Sequence, residues 1–397
     1  MPWSESKVEE ERLRLVRLVE KSRVPVAEAA RLFAVSQKTA FKWLALYREG
    51  GARNLADRSR AALTNPRAFE EEMRALLVEG RRAHPHWGPR KLLAYLETRR
   101  PNLVLPAPST VGLWLSAEGL VLPRRKQRTG ETIGGGPFPP VLAANDVWCT
   151  DYKGEFRVGN GELCFPLTLT DAHSRFLIRC TAMHHISAVR AQQEMANAFR
   201  EYGLPTAMRS DNGSPFAAKG VGGLTRLAVW LLKLGIQLQR TTPGRPQENG
   251  AHERMHRTLK QETALEPKST LRQQQRAFDA FRQEYNCERP HEALENATPS
   301  TLFKPSLRTM PRKLPELHYP TDHAMRVVDN KGYVNWKGKR TFLSEALCSE
   351  HVGLVESQID GWWHLYFSRY ELGLIHSSGK FVERIHRQFA VSTRTTD

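Results

Sequence analysis

A membrane-spanning helix needs about 18 or more consecutive apolar residues, and the 397-residue chain has no such run. Its richest stretch, residues 224–238, is broken by Arg226 and Lys233, so no transmembrane segment is expected. Cysteine is scarce: five residues (149, 164, 180, 287 and 348), none in a CxxC pair. An odd, unpatterned set fits reduced cytosolic thiols and argues against a disulfide framework or a zinc site. Met1-Pro2-Trp3-Ser4-Glu5 leads directly into a charged helical pattern without a signal-peptide core. A cytoplasmic protein is therefore expected. Acidic residues are in deficit, 42 Asp and Glu against 59 Lys and Arg, for a formal net charge of +17.

That excess is not a tail. About +10 falls in residues 1–140, about +3 in 141–300 and about +4 in the remainder. Basic residues spread over folded-looking segments point to a polyanionic partner, and to nucleic acid before a membrane surface. The length predicts two to four domains.

Residues 7–50 read as helical. An apolar helical pattern over 26–33 is followed by a break at Ala34-Val35-Ser36. Ser36 is placed to cap a helix over 37–48. Ala40, Trp43 and Leu44 share the buried side of that helix, and Tyr47 extends it. Gln37, Lys38 and Lys42 fall outside, where they suit base edges and phosphates in a major groove. This is a helix-turn-helix pattern over residues 1–60; its plainer alternative is an ordinary helical hairpin. A second helical block, 61–122, repeats the architecture as a winged or helix-turn-helix unit. It has helices over 69–83, from Pro89, and over 110–118 with Ser109 as a cap; Arg90 and Lys91 are its basic candidates. Residues 123–140 are basic, through Arg124, Arg125 and Lys126, and then Gly/Pro-rich. They read as a linker able to follow phosphate backbone.

From Asp146 the pattern changes to strands, over 147–152, 164–171 and 176–181. Helices over 189–202 and 224–234 alternate with short strands over 206–209 and 236–240. Helices over 250–265 and 269–285 follow. This predicts a mixed α/β domain over 141–305. Residues 315–390 turn strand-rich again and read as a small all-β barrel, with 326–328 and 333–336 flanking a hairpin-like turn.

Three acids stand out. Asp151 ends the first core strand, Asp211 follows a short strand, and Glu253 begins a helix. Two acids at strand ends and one on a helix can converge on one sheet edge. Clustered carboxylates repel, and hard divalent cations that take oxygen ligands neutralise them. Singly, each acid is more plausibly a solvated surface group. Asp146, Glu155, Asp171 and His173 are further polar candidates, with a turn role favoured for Asp171. Trp148, Phe156 and Phe165 read as core.

The segments Ser210-Asp211-Asn212-Gly213, 243–260 and Arg289-Pro290-His291-Glu292-Ala293-Leu294 resemble bacterial insertion-sequence transposases of the DDE type, with a retroviral-integrase-like core. Ala56-Asp57-Arg58-Ser59-Arg60 and Trp87-Gly88-Pro89-Arg90-Lys91-Leu92 fit the same group. The resemblance covers most of residues 1–305 and is weakest over the β-domain. It implies a ribonuclease-H-like fold, an SH3-like C-terminal barrel, and Asp151, Asp211 and Glu253 as catalytic metal ligands. It also implies two Mg²⁺ or Mn²⁺ ions, and a helix from Glu253 whose Arg254, Arg257 and Lys260 hold DNA. One departure matters: Asp211 and Glu253 have forty-one residues between them, more than the resemblance implies. Raw spacing favours Glu248, with thirty-six between, and residues 217–223 read as the insertion. Glu253 is preferred because it begins a regular helix, whereas Glu248 sits in a Pro/Asn/Gly-rich turn.

The implied activity is transposition. The helical region binds the element's terminal inverted repeats, hydrolysis frees a 3′-OH, and that 3′-OH attacks target DNA. Pairing two ends requires at least a dimer, and the setting is a bacterial, nucleoid-associated one. The alternatives are a non-catalytic DNA-binding regulator or decayed transposase, and a ribonuclease acting on RNA–DNA hybrids.

Overall fold

A computed structural model describes residues 8–57, 69, 71–121, 138–218, 220–242 and 245–384. Arg124, Arg125 and Lys126 lie outside the described residues. The chain divides into two compact units, Met1–Phe69 and Glu70–Asp397. No helix of the described residues is long and apolar enough to cross a membrane.

The first unit is three helices, α1 (Val8–Glu20), α2 (Val26–Leu32) and α3 (Gln37–Gly50). Leu15, Val16, Ala30, Ala40, Leu44 and Leu55 form their core, with Trp43 and Tyr47 packed at its edge. The turn between α2 and α3 puts Ala34 at φ 50. Ser36 then caps α3, its hydroxyl accepting the Thr39 N–H at 3.1 Å. Arg12 fixes the far end by donating to the Leu55 carbonyl and pairing with Asp57 at 2.8 Å.

The second unit starts with α4 (Glu71–Ala83), α5 (Pro89–Arg99) and α6 (Pro108–Ala117). Helix α6 begins earlier than Ser109 would set it: Ala107 is the cap and Pro108 the first helical residue. Proline's fixed φ suits that position, and its missing N–H is one the first turn leaves unpaired anyway.

The central sheet contains β1 (Val147–Tyr152), β2 (Phe156–Arg157), β3 (Leu163–Asp171), β4 (Leu177–Met183), β5 (Ala207–Ser210) and β6 (Gln237–Arg240). Strand β3 pairs antiparallel with β1, β2 and β4, while β5 runs parallel to both β1 and β6. The two-residue β2 was not anticipated; it pairs only with Leu163 and Cys164 and is too short to show an alternating pattern. Helices α7 (Ala188–Tyr202) and α8 (Arg226–Lys233) bury Phe199 and Trp230 against the face carrying Trp148, Leu167 and Leu169. Helices α9 (Gly250–Leu259) and α10 (Leu271–Cys287) cover the other face through Met255, Leu259, Phe278 and Phe281. Helix α9 passes into a π-turn over Lys260–Ala264 where a longer α-helix was expected.

The C-terminal region is all-β. Strands β7 (Ala324–Val327), β10 (His351–Glu356), β11 (Trp362–Phe367), β12 (Tyr370–His376) and β13 (Phe381–Glu383) form one sheet, and β8 (Tyr333–Trp336) with β9 (Lys339–Phe342) a separate ribbon. The expected hairpin is thus corrected. The turn at Asp329 exists, its carboxylate accepting the Lys331 and Tyr333 N–H groups, but β7 pairs with β10 and β8 with β9. Local turn residues fix a reversal of direction; which strands then pair depends on distant partners.

This β-region shares a core with α8: Leu224, Ala228, Val229 and Leu232 pack with Val328, Leu347, Leu354 and Leu372. Lys233 pairs with Glu350 at 2.8 Å. Within the suspected insertion, residues 220–223 form a strap into the same contact. Arg240 donates to the Gly222 and Gly223 carbonyls at 2.8 Å each, and the Gly222 N–H donates to Glu383 at 2.7 Å. Both glycines have positive φ, and a Cβ on Gly222 would stand 3.0 Å from the Tyr370 ring.

Candidate catalytic site

Sheet register places the expected carboxylates. Cys149 of β1 lies opposite Arg209 of β5, and Asp151 and Asp211 each stand two residues beyond that pair. The parallel strands therefore deliver both acids at neighbouring carboxyl ends, where open α/β sheets carry their sites. Asp151 is also the register partner of Thr168, and Cys149 that of Thr170. Period-two alternation puts all of these on the face covered by α9. On α9, His252, Met255, His256 and Leu259 turn inward, while Glu253, Arg254 and Arg257 are exposed, as is Lys260 just beyond.

Burial first, then Asp211 and more weakly Glu253, push the Asp151 carboxyl up to about 7, against the opposing pull of the Tyr152 N–H and Lys153. Glu248 is not among the groups that act on Asp151. It is buried, accepts the Thr242 N–H at 2.7 Å, and faces Arg209, whose guanidinium also reaches the Glu248 carbonyl at 3.5 Å. It ties down the base of the loop preceding α9. A cleft of about 690 Å³ is lined by Glu248, His252, Arg209 and Arg175, and not by Asp151, Asp211 or Glu253. Asp211 and Glu253 are exposed.

Asp171 takes a turn role. Its carboxylate accepts the Ser174 N–H and hydroxyl at 2.7 and 2.6 Å and the Asn145 N–H at 2.7 Å. Two histidines that sequence reasoning missed lie behind the carboxylates. Both are buried against Thr168 and Thr170, and burial holds His252 at about 3 and His256 at about 2, so both rings are neutral. Their signal was available: they flank the core residue Met255 at positions −3 and +1, on the same helix face.

Residues 84–99 and 284–290 meet at one contact. Lys91 donates to the Pro290 carbonyl at 2.8 Å, His84 pairs with Glu284 at 3.1 Å, and Arg99 with Glu288 at 3.4 Å. Trp87 is fully buried and stacks on His84 at 3.8 Å. Lys91 is thus engaged with the core, its ammonium lowered to about 8 by burial first and then by Arg289, whereas Arg90 is exposed. In the first unit Gln37, Lys38 and Lys42 are all exposed on α3.

The Integrase core domain family matches residues 142–246 and again 234–299. A Helix-turn-helix domain matches 11–62, a Homeodomain-like domain 39–115, and the IS481 family transposase C-terminal domain 323–379. The chain is 33% identical over 176 residues to the insertion element IS136 protein of Agrobacterium fabrum, across 41% of this chain and 85% of that protein. It is 29% identical over 183 residues to the insertion element IS407 31.7 kDa protein of Burkholderia multivorans, across 46% of this chain. The chain spans 64% of the length of that IS407 protein. Among solved structures, a simian T-cell lymphotropic virus intasome aligns over 74% of this chain and 97% of its own, at 15% identity and a TM-score of 0.37. The chain belongs to the DDE-type insertion-sequence transposases, with helix-turn-helix domains ahead of an integrase core and an all-β C-terminal domain.

Proposed function

We propose that this protein cuts the ends of its insertion sequence by metal-dependent phosphodiester hydrolysis and joins each freed 3′-OH to target DNA. Asp151, Asp211 and Glu253 are its catalytic carboxylates. The observation that carries this reading is the strand register, which ends Asp151 and Asp211 at neighbouring carboxyl edges, with Glu253 in the first turn of the helix that covers this face. Clustered oxygen donors suit a hard divalent cation, Mg²⁺ or Mn²⁺, at two ions per site. Bound there, the ions would neutralise the carboxylates and stabilise the attacking and leaving oxygens.

The chain's own contribution is position. Asp151 and Asp211 are fixed by two hydrogen-bonded strands, and Glu253 by a helix anchored through Met255 and Leu259. Arg254, Arg257 and Lys260 are exposed beside Glu253 and suit the phosphates flanking the scissile bond. The rate enhancement then rests on charge neutralisation and in-line alignment, with no covalent protein–DNA intermediate. The α3 face bearing Gln37, Lys38 and Lys42 binds the terminal repeats, aided by Arg90 and the basic run Arg124, Arg125 and Lys126. Lys91 serves instead to seat α5 on the core. The C-terminal strands form an SH3-like barrel, and at least two copies pair the element's ends on the bacterial nucleoid.

The test is metal-dependent cleavage of an end-containing duplex, measured beside end binding. Asp151→Asn, Asp211→Asn and Glu253→Gln should each abolish cleavage and strand transfer with binding retained, while Glu248→Gln keeps measurable activity. An active Glu253→Gln protein refutes the assignment.

A further inference from the structure

Thr168 is the hub of a buried network directly behind Asp151. Its hydroxyl donates to the Asp151 carbonyl at 3.1 Å. It also contacts Nε2 of His252 at 2.9 Å and Nε2 of His256 at 2.6 Å. A hydroxyl has one proton to give and two lone pairs with which to accept. With that proton on the Asp151 carbonyl, both imidazoles must donate from Nε2. The Thr170 hydroxyl then donates to His252 Nδ1 at 2.7 Å, so both nitrogens of His252 are satisfied by threonines.

His256 is different. Its ring, 6% exposed, carries a proton on Nε2 and a lone pair on Nδ1. That lone pair faces Oδ2 of Asp151 at 3.7 Å. The separation is too long for a hydrogen bond. A lone pair opposite a carboxylate oxygen is repulsive unless a cation lies between them. Asp151, His252 and His256 each offer a donor atom within 4.8 Å of the others'. Two ligand atoms about 2.1 Å from one ion are about 3.0 Å apart at a right angle and about 3.4 Å apart at the tetrahedral angle. The observed pair, 3.7 Å apart, needs a closure of about 0.3–0.7 Å to meet on a shared ion.

We propose that His256 Nδ1 is a nitrogen ligand to the cation held by Asp151, making this a mixed oxygen and nitrogen site. Thr168 fixes the required tautomer by accepting the Nε2 proton, the outer-shell role that metal-bound histidines generally need filled. His252 in turn holds Thr168 in orientation. This inference rests on the reading of Asp151 as a metal ligand and adds a donor that the three carboxylates do not include. Imidazole binds Mn²⁺ and Zn²⁺ more readily than Mg²⁺, so His256 biases the site toward the softer ions.

The experiment is pulsed EPR of Mn²⁺ bound to the full-length protein, read as electron spin-echo modulation from directly bound nitrogen. The unmutated chain should show ¹⁴N modulation that changes to the ¹⁵N pattern when histidine alone is ¹⁵N-labelled, a result that needs no substitution to fold. The modulation should vanish in His256→Asn and persist in His252→Gln, and His256→Asn should weaken Mn²⁺ binding at least about tenfold. Mn²⁺ that requires Asp151 yet shows no histidine nitrogen overturns the proposal and leaves the carboxylate site standing. Modulation surviving in His256→Asn also overturns it. Mn²⁺ binding undiminished in Asp151→Asn removes the reading on which the proposal rests.

Discussion

Gly223→Ala tests whether the strap over residues 220–223 couples the Asp211 turn to the β-domain. The wild-type residue sits at φ +58, and an added Cβ would overlap Arg240 Nη1. The left-handed backbone alone costs about 1 kcal/mol for alanine. Displacing the Arg240 guanidinium also removes its bonds to the Gly222 and Gly223 carbonyls, both 2.8 Å long. Hydrogen bonds to charged groups are each worth about 1.5–3 kcal/mol, so with the backbone term the total loss should be about 4–7 kcal/mol. Gly338→Ala is the internal control. Its φ is +75 with nothing within 4 Å of an added Cβ, so only the backbone penalty of about 1 kcal/mol applies. The assay is urea unfolding followed by tryptophan fluorescence, since Trp336, Trp362 and Trp363 all lie in the β-region. Cleavage of an end duplex is measured alongside. Gly223→Ala should lower the unfolding midpoint well beyond Gly338→Ala and reduce cleavage more than end binding. Equal losses in the two variants would refute the strap as a structural link.

Three further outcomes are expected. His291 is held at about 4, below its ordinary 6.5, by burial first, with Lys91, Arg289 and Arg175 adding to the shift and the Tyr285 carbonyl opposing it. A depressed folded value means its contribution is fully present above pH 6.5 and lost as pH falls through about 4. It is worth up to about 3 kcal/mol, so His291→Gln should flatten that part of the acid-stability curve in a pH-jump melt. Lys38→Ala and Lys42→Ala should each weaken binding to all duplexes and reduce the slope of log affinity against log salt by about one; an unchanged slope removes these residues from the phosphate interface. Ser36→Ala should cost the first unit about 1 kcal/mol, by calorimetry, through loss of the α3 cap, while Ser36→Asp should largely restore it.

Much of the framework was legible because it is local. The break at Ala34 and the cap at Ser36 are written in adjacent residues, and so are the amphipathic faces of α3, α9 and α10. The sequence strings around Asp151, Asp211 and Glu253 placed each acid at an element's end. The spacing count favoured Glu248, and residues 220–223 form the strap that lies in the chain between Asp211 and α9. Glu248 itself is occupied with Thr242 and the Arg209 contact.

By itself, then, the sequence determined the helix-turn-helix signal, the α/β character of 141–305 and the strand-rich C-terminus, since periodicity and capping act over a few residues. Only tertiary structure decided the rest. It joined Lys91 to Pro290, a contact across 199 positions of chain, and paired β7 with β10 instead of β8. It merged α8 with the β-domain core. It also brought Thr168 of β3 against His252 and His256 of α9, because register alternation and helix face coincide there. Such contacts depend on which surfaces bury each other, and burial is a property of the whole chain that no short window of residues contains.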